Sequence, residues 1–416
     1  MRFDDDHPAL IDAGSGRTVS YSELSSRLPG REAAEKRMVL HRLEPRLDSV
    51  IAYLADLAAG HAVVVADRRS EPALAAAYFS SDKRPALHRD LSLLLTTSGS
   101  TGSAKVVRLS ALNVESNAAA IAESLSIGRS DRAVTSLPLS YSYGLSVLHS
   151  HLWAGATVVL FDASVVEPGF WDVAARWSVT SLAGVPYTYQ VLSRLDGLVE
   201  RAPALSVMTQ AGGRLAPALV ARFHEVMARR GGRFHVMYGQ TEASPRMTCT
   251  PAGSLPAKLG SVGIPLPGGT VEIDGGEVVY RGPNVMMGYA SGPADLARGD
   301  DCGGLLRTGD LGFVDRDGYL WLTGRAKRIA KLFGNRVALD DVEGLFSAHV
   351  PVAALAGEGD CIEIHFDAGF AGRLEAPRRA AARQLGVPAS ALRLVAHPEG
   401  LPLTGSGKVD YRRLAG

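Results

Sequence analysis

Leu93–Lys105 reads LLLTTSGSTGSAK, an apolar segment that stops at a Ser/Thr/Gly loop closed by a lysine. Backbone N–H groups in such a loop can all turn toward one anion, and the hydroxyls of Thr97, Ser98, Ser100 and Thr101 add donors. Gly99 and Gly102 punctuate the loop and Lys105 adds a point charge, so the unit suits a polyphosphate. It is not a Walker A loop, because Lys105 comes three residues after the last glycine and is followed by Val106. Composition alone also allows a flexible surface linker. The segments downstream decide between the two readings.

At 416 residues the chain exceeds the size at which one hydrophobic core keeps growing, so two or more domains are expected. Hydrophobic residues make up 46% and charged residues 21%, the balance of a soluble globular protein. A net charge of +1 gives no global pull toward nucleic acid or an anionic membrane. The acidic start MRFDDDH lacks the basic region and apolar core of a secretory signal. The longest apolar stretch, near Val50–Ala66, is broken by Asp56 and His61 and is too short to span a bilayer. Cys249, Cys302 and Cys361 are widely spaced and read as free thiols in a reducing compartment. A cytoplasmic location is expected.

Short buried strands at MVLHRL and HAVVVAD flank a segment of helical spacing, DSVIAYLADLAAG. This βαβ rhythm continues through DRAVTSLPL, GATVVLF and FHVMYG and predicts a parallel sheet covered on both faces. Ligands in such sheets sit beyond the carboxyl ends of strands, which puts the loops after LLLTT and FHVMYG on the site face. From Pro265 the pattern changes to short alternating strands with Gly-Gly and Asp-Gly turns, VEIDGGEVVYRG and GFVDRDGYLWLTG. A small α+β unit follows, with a helix near Leu339–Phe346, a strand at CIEIHF and a basic helix near Ala376–Gln384.

Four segments follow the first loop in order: YGQTEAS (Tyr238–Ser244), LLRTGDLGFVDRDGYLWLTGRAKRIAK (Leu305–Lys331), FGNRVALDDVE (Phe333–Glu343) and PLTGSGKVDYRRL (Pro402–Leu414). The set resembles the signature motifs of the adenylate-forming superfamily, which includes acyl-CoA synthetases, and the resemblance spans nearly the whole chain. It implies an α/β fold: a large N-terminal domain, residues 1–324, of parallel α/β subdomains plus a small β-rich subdomain. A small mobile α+β C-terminal domain, residues 325–416, follows a hinge near 325–327. The implied reaction is attack of a carboxylate on the α-phosphorus of ATP, which needs neutralised phosphates and a dry, ordered site. By resemblance the Thr97–Lys105 loop holds the β- and γ-phosphates, Thr241 contacts the α-phosphate and Glu242 helps hold Mg²⁺. Tyr238, with Gly239 and Gln240 following it, stacks on adenine, and Gly212, Gly213 and Arg214 of AGGR close the other side. Asp310 accepts from both ribose hydroxyls, Arg325 reaches the ribose or phosphate, and Lys408 bridges the α-phosphate and the carboxylate. Lys331 approaches the site in a second conformation, for transfer to coenzyme A or a carrier-protein phosphopantetheine.

Three departures from the family stand out. Only 92 residues precede the loop segment, fewer than in familiar members, which leaves room for a bare sheet edge covered in a homodimer. The usual histidine position, four residues after Leu137, holds Tyr141, an aromatic gate that cannot titrate near neutrality. Val106 replaces the usual glycine after the loop lysine. The acid pocket is expected along Tyr141, Tyr143, Gly184, Val185, Tyr187, Gln210, Gln240 and Ser244. None of these is basic or aspartate, so a carboxylic acid of modest size is preferred over an amino acid. Two other readings stay open: adenylation of an atypical acid, nitrite included, with transfer to an amine; and a nucleotide-binding regulator without turnover.

Overall fold

The computed structural model describes residues 5–29, 35–68, 70–80, 85–96, 106–195, 197–325, 328–333, 335–347, 350–404 and 408–415. Two large sheets form the first three-quarters of the chain. One has nine strands, six of them parallel: Arg233–Gly239, Val207–Gln210, Ser181–Gly184, Arg132–Val134, Thr157–Leu160 and Pro8–Asp12 in spatial order. Antiparallel strands close it on either side, Arg246–Cys249 with Ile264–Pro265 at one edge and Thr18–Ser20 at the other.

The five-stranded sheet departs from the expected all-parallel pattern. Met38–Arg42, Ala62–Ala66 and Leu91–Thr96 are parallel, but Val106–Ser110 returns antiparallel to Leu91–Thr96. The phosphate-loop candidate therefore links two strands of a hairpin, with Thr96 paired to Val106, and not a strand to a helix. Nine intervening residues are enough for the reversal, and the apolar run on both sides keeps both strands buried. Residues 97–105 themselves lie outside the described residues.

Sequence explains the local choices. Ala62–Ala66 is the run AVVVA, buried throughout, as a central parallel strand must be; each buried valine contributes roughly 1.5–3 kcal/mol. The helix Ala111–Leu125 starts at a capping box: Ser110 Oγ accepts from the Asn113 N–H, and Asn113 Oδ1 accepts from the Ser110 N–H. Asn113 Nδ2 also donates to Pro283 O, tying this helix to the β-rich unit. That unit is the antiparallel sheet Thr270–Asp274, Glu277–Arg281, Leu305–Val314 and Leu320–Arg325, two hairpins as the turn residues predict. After Arg325 come the pair Ile329–Leu332 and Asn335–Ala338, the helix Leu339–Ser347 and a three-stranded sheet. Val342, Phe346, Ile362, Ile364 and Leu392 form a core of their own there. Ala326 and Lys327, in the expected hinge, lie outside the described residues.

Candidate active site

Three neighbouring parallel strands end side by side. Gln210 pairs with Gly184 on one side and with Val236 on the other, so the loops after Gly184, Gln210 and Gly239 leave the sheet at one end. This register brings together segments that are 26 or more residues apart. Gly239 has to be glycine, because a Cβ there would stand 1.9 Å from Pro245 O. The turn it opens is held from outside. Asn284 Nδ2 donates to Ala243 O (2.7 Å) and Arg246 O (3.1 Å), and Ser244 Oγ donates to Asn284 O (2.8 Å). The Met286 N–H donates to Glu242 O (2.9 Å), so Thr241 and Glu242 sit on a backbone with few free donors or acceptors.

Asp310 is 5% exposed and its two oxygens face different donors. The Tyr238 hydroxyl donates to Oδ2 at 2.5 Å and Arg325 Nε to Oδ1 at 3.0 Å. Asp310 and Arg325 are cross-strand partners, which explains how residues 15 apart meet. Burial, followed by the Asp310 carboxylate, drives the Tyr238 phenol well above its ordinary pKa, so it stays a donor.

Lys408 reaches this region from the C-terminal unit. Its Nζ lies 5.0 Å from the centroid of the Tyr141 ring. A Cβ on Gly212 would come within 3.3 Å of Lys408 Cε and 2.5 Å of Tyr141 Oη. Thr404 Oγ1 accepts from the Lys408 N–H (3.2 Å), and the Thr404 N–H donates to Lys408 O (2.7 Å), which fixes the backbone that presents the side chain. Desolvation and then the positive charge of Arg325 pull the Lys408 ammonium down to about 8, with Glu242 opposing them. A half-buried, desolvated ammonium of this kind is suited to receive an anion. Next in sequence to Tyr141, Ser142 Oγ shares a hydrogen bond of 3.0 Å with Thr241 Oγ1. Glu242 Oε1 accepts from the Tyr289 hydroxyl at 2.8 Å.

The other expected residues divide. Gln210 is buried and donates to Gly213 O (2.8 Å), fixing the AGGR turn in which Gly212 has φ +84. Gln240 Nε2 reaches Thr308 O at 3.5 Å. Gly184 packs against Tyr189 and Thr188. Val185, with Leu137, Pro138, Tyr187 and Val191, lines a cleft of about 180 Å³ beside the site. The Tyr143 hydroxyl is bonded within the core to Thr209 Oγ1 (2.8 Å), the Ser244 hydroxyl to Asn284, and Arg214 Nη1 to Asp341 Oδ1 (3.1 Å) across the two units. Lys331 lies on the strand Ile329–Leu332, and its side chain is outside the described residues, as are Thr97–Lys105. Among the described residues no group of three or more His, Cys, Asp or Glu could hold a metal.

Sequence reading missed two residues. Asn284, in GPN, organises the whole turn; an asparagine beside Gly and Pro reads simply as a loop, so there was no signal. Arg246 had one: it is a lone charge at the start of the buried strand RMTC. The Arg246 guanidinium carbon stands 4.5 Å from the ring centroid of Tyr143, one of the residues expected along the acid pocket.

The α/β platform thus gathers several loops at one end of its strands, where Lys408 of the C-terminal unit comes up against Tyr141 and Gly212. The sequence model of the AMP-binding enzyme family matches residues 73–290, more than half of the chain, so the chain belongs to that family. It is 32% identical over 345 residues to an oxalate–CoA ligase of Arabidopsis thaliana, covering 78% of this chain and 63% of that protein. It is also 32% identical over 286 residues to a 2-succinylbenzoate–CoA ligase of Bacillus licheniformis, covering 65% and 57%. The chain thus spans less than two-thirds of the length of these relatives. The o-succinylbenzoate CoA synthetase of Bacillus subtilis, solved with its acyl-adenylate intermediate, superposes with TM-score 0.77 at 20% identity, covering 99% of this chain and 96% of that one. ATP-bound MatB of Rhodopseudomonas palustris gives 0.78 at 22%, with the same coverage. At these identities the likeness is one of fold.

Proposed function

We propose that this chain is an AMP-forming acid ligase. A carboxylate oxygen attacks the α-phosphorus of ATP, the bond to the β-phosphate breaks, and pyrophosphate leaves. A thiol then attacks the acyl carbon, AMP departs, and the thiol proton is released. The observation that carries the reading is the approach of Lys408 to Tyr141 and Gly212. It supplies a desolvated cation where a transferring phosphoryl group and a carboxylate would meet.

The remaining parts support the same chemistry. A carboxylate has about four lone-pair sites. Tyr238 and Arg325 take two on Asp310, one on each oxygen, which leaves one on each for the two hydroxyls of a ribose. Glu242 keeps its second oxygen without a hydrogen bond among the described residues, which fits Mg²⁺, a cation often bound by one carboxylate with phosphate oxygens and waters. Bound there, the metal would neutralise phosphate charge. The Thr97–Lys105 loop is proposed for the β- and γ-phosphates, and residues 325–416 for a domain that presents Lys408 first and Lys331 later. Relatives named as CoA ligases favour coenzyme A over a carrier protein, an amine or a nitrite route as the continuation of the adenylate.

Acid-dependent ATP–pyrophosphate exchange, followed by thioester formation with coenzyme A, tests the proposal. Release of ADP and phosphate, or exchange that ignores every acid offered, would overturn it.

A further inference from the structure

Arg246 is 2% exposed, and among the described residues no carboxylate lies within ion-pair distance. The 97–105 loop contains no acid either. Nη1 donates only to the thioether Met237 Sδ at 3.0 Å, a weak acceptor, and Nε is buried without a partner. The Tyr143 face, 4.5 Å away, gives the cation its main contact. Burial pulls its proton affinity below the ordinary arginine value, although it stays charged. A buried cation without its anion is strongly unfavourable, and the Tyr143 face offsets only part of that cost, so an arriving anion would find the site already charged.

Where that charge would sit follows from the contacts. Tyr143 and Met237 belong to the apolar cluster that includes Val185 and Ala211 and packs against Tyr141, the walls of the expected acid pocket. The Tyr141 and Tyr143 rings meet edge to face, centroids 6.2 Å apart. Lys408 stands against the first ring and Arg246 against the second. The two cations thus flank one tyrosine pair. Lys408 is delivered from the C-terminal unit, while Arg246 is rooted in the strand Arg246–Cys249, held through its backbone by Asn117 and Asn284.

Building on the ligase reading, we infer that Arg246 is the specificity residue for a second anionic group, so that the acid activated is a dianion. Its reacting carboxylate meets Lys408 and its distal carboxylate or sulfonate meets the Arg246 guanidinium. A planar fork that offers two parallel N–H donors suits either group.

The test is ATP–pyrophosphate exchange by the intact chain with matched pairs of acids: malonate against propionate, succinate against butyrate, and sulfoacetate against propionate. Wild type should prefer the dianion of at least one pair, and Arg246→Met should lower the dianion-to-monoanion ratio of kcat/KM about 30-fold or more, chiefly through KM. Arg246→Lys should recover part of that ratio. A structural arginine would lose both acids of a pair alike, so an unchanged ratio overturns the inference. If Arg246→Met does not fold, the wild-type panel still decides, because monoanions used as well as dianions refute it. Exchange with monoanions only sinks this inference and leaves the ligase reading standing, whereas no exchange with any acid sinks the ligase reading itself.

Discussion

Gly212→Ala should separate catalysis from stability at the site. At Gly212 the backbone has φ +84, a region an L side chain enters at a cost of roughly 1–2 kcal/mol. The new methyl would stand 2.5 Å from Tyr141 Oη and 3.3 Å from both Lys408 Cε and Val185 Cγ1. Ordinary contact needs roughly 3.5–4 Å, so Tyr141 or the AGGR turn must move by about 1 Å. The Tyr141 ring abuts Tyr143, whose hydroxyl is tied to Thr209, so the methyl displaces the tyrosine tip or Lys408, which it also touches. A misplacement of about 1 Å at reacting groups typically costs about 10²-fold in rate, which is ~2.7 kcal/mol of transition-state stabilisation. The fold should lose far less activity-relevant structure, melting lower by about 2–4 °C for each kcal/mol of strain. The assay is exchange at saturating ATP, run beside a thermal melt. A rate within threefold of wild type, with Tyr141 and Gly212 unmoved from the path of the acid, would refute the convergence of Lys408, Tyr141 and Gly212 as the reacting centre.

Lys408→Ala should lower acid-dependent exchange by ~10²–10³ while ATP still binds. In wild type, kcat/KM for ATP should fall as pH rises through about 8, because the free enzyme needs the ammonium form and burial lowers its pKa; a profile flat to well above that pH would remove Lys408 from the step. Glu242→Gln should raise the Mg²⁺ concentration needed for half-maximal exchange, since a neutral amide is a poorer ligand for a hard cation, and an unchanged requirement would take Glu242 out of the metal site. Asn284→Ala leaves Ala243 O and the Tyr280 hydroxyl without the buried partner Asn284 gives them, while Arg246 O keeps Asn117 Nδ2. At roughly 1–3 kcal/mol for a group left unsatisfied, urea denaturation should show a loss of more than 1 kcal/mol, with exchange reduced in the folded fraction; a variant of wild-type stability would contradict the anchoring assigned to Asn284.

Much of the fold was legible because its signals are local. Alternation with Asp-Gly and Gly-Gly turns gave the β-rich hairpins, and apolar runs gave the central strands. What escaped were properties of pairing. Nothing in LLLTTSGSTGSAKVVRL says that Val106–Ser110 turns back on Leu91–Thr96, since buried parallel and antiparallel strands share one composition. Motif order located Tyr238, Asp310 and Lys408 as candidates, but not their partners. The Tyr238–Asp310 bond depends on a register between two different sheets. The Tyr143 and Ser244 hydroxyls are a second example: chain position gave no sign that they bond to Thr209 and Asn284.

The proposed movement of the C-terminal unit meets a structural constraint at Asp310. Arg325 is both the last residue of the strand Leu320–Arg325 and the donor to Asp310 Oδ1, so the carboxylate proposed for ribose is a ladder partner of the hinge. Beyond Arg325 the contacts that join the units among the described residues include Arg214 with Asp341, Lys408 against Tyr141 and the Arg194 guanidinium 5.2 Å from the Phe370 ring centroid. The first is a half-exposed ion pair, worth at most about 1 kcal/mol. The second places an ammonium in a desolvated spot that disfavours its charge until an anion arrives. The Arg194 contact with the Phe370 face adds at most about 1 kcal/mol at an exposed site, so the three together hold the unit weakly before substrates bind. Once phosphate and carboxylate occupy the site, Lys408 gains the counter-charge it lacks, and the same contact then favours the arrangement described here. When pyrophosphate has left and the carboxylate charge has been consumed in the adenylate, that gain shrinks. In the proposed cycle, charge at Lys408 would thus couple progress of the first half-reaction to release of the C-terminal unit, while Arg325 would keep the proposed nucleotide end of the site tied to the proposed hinge.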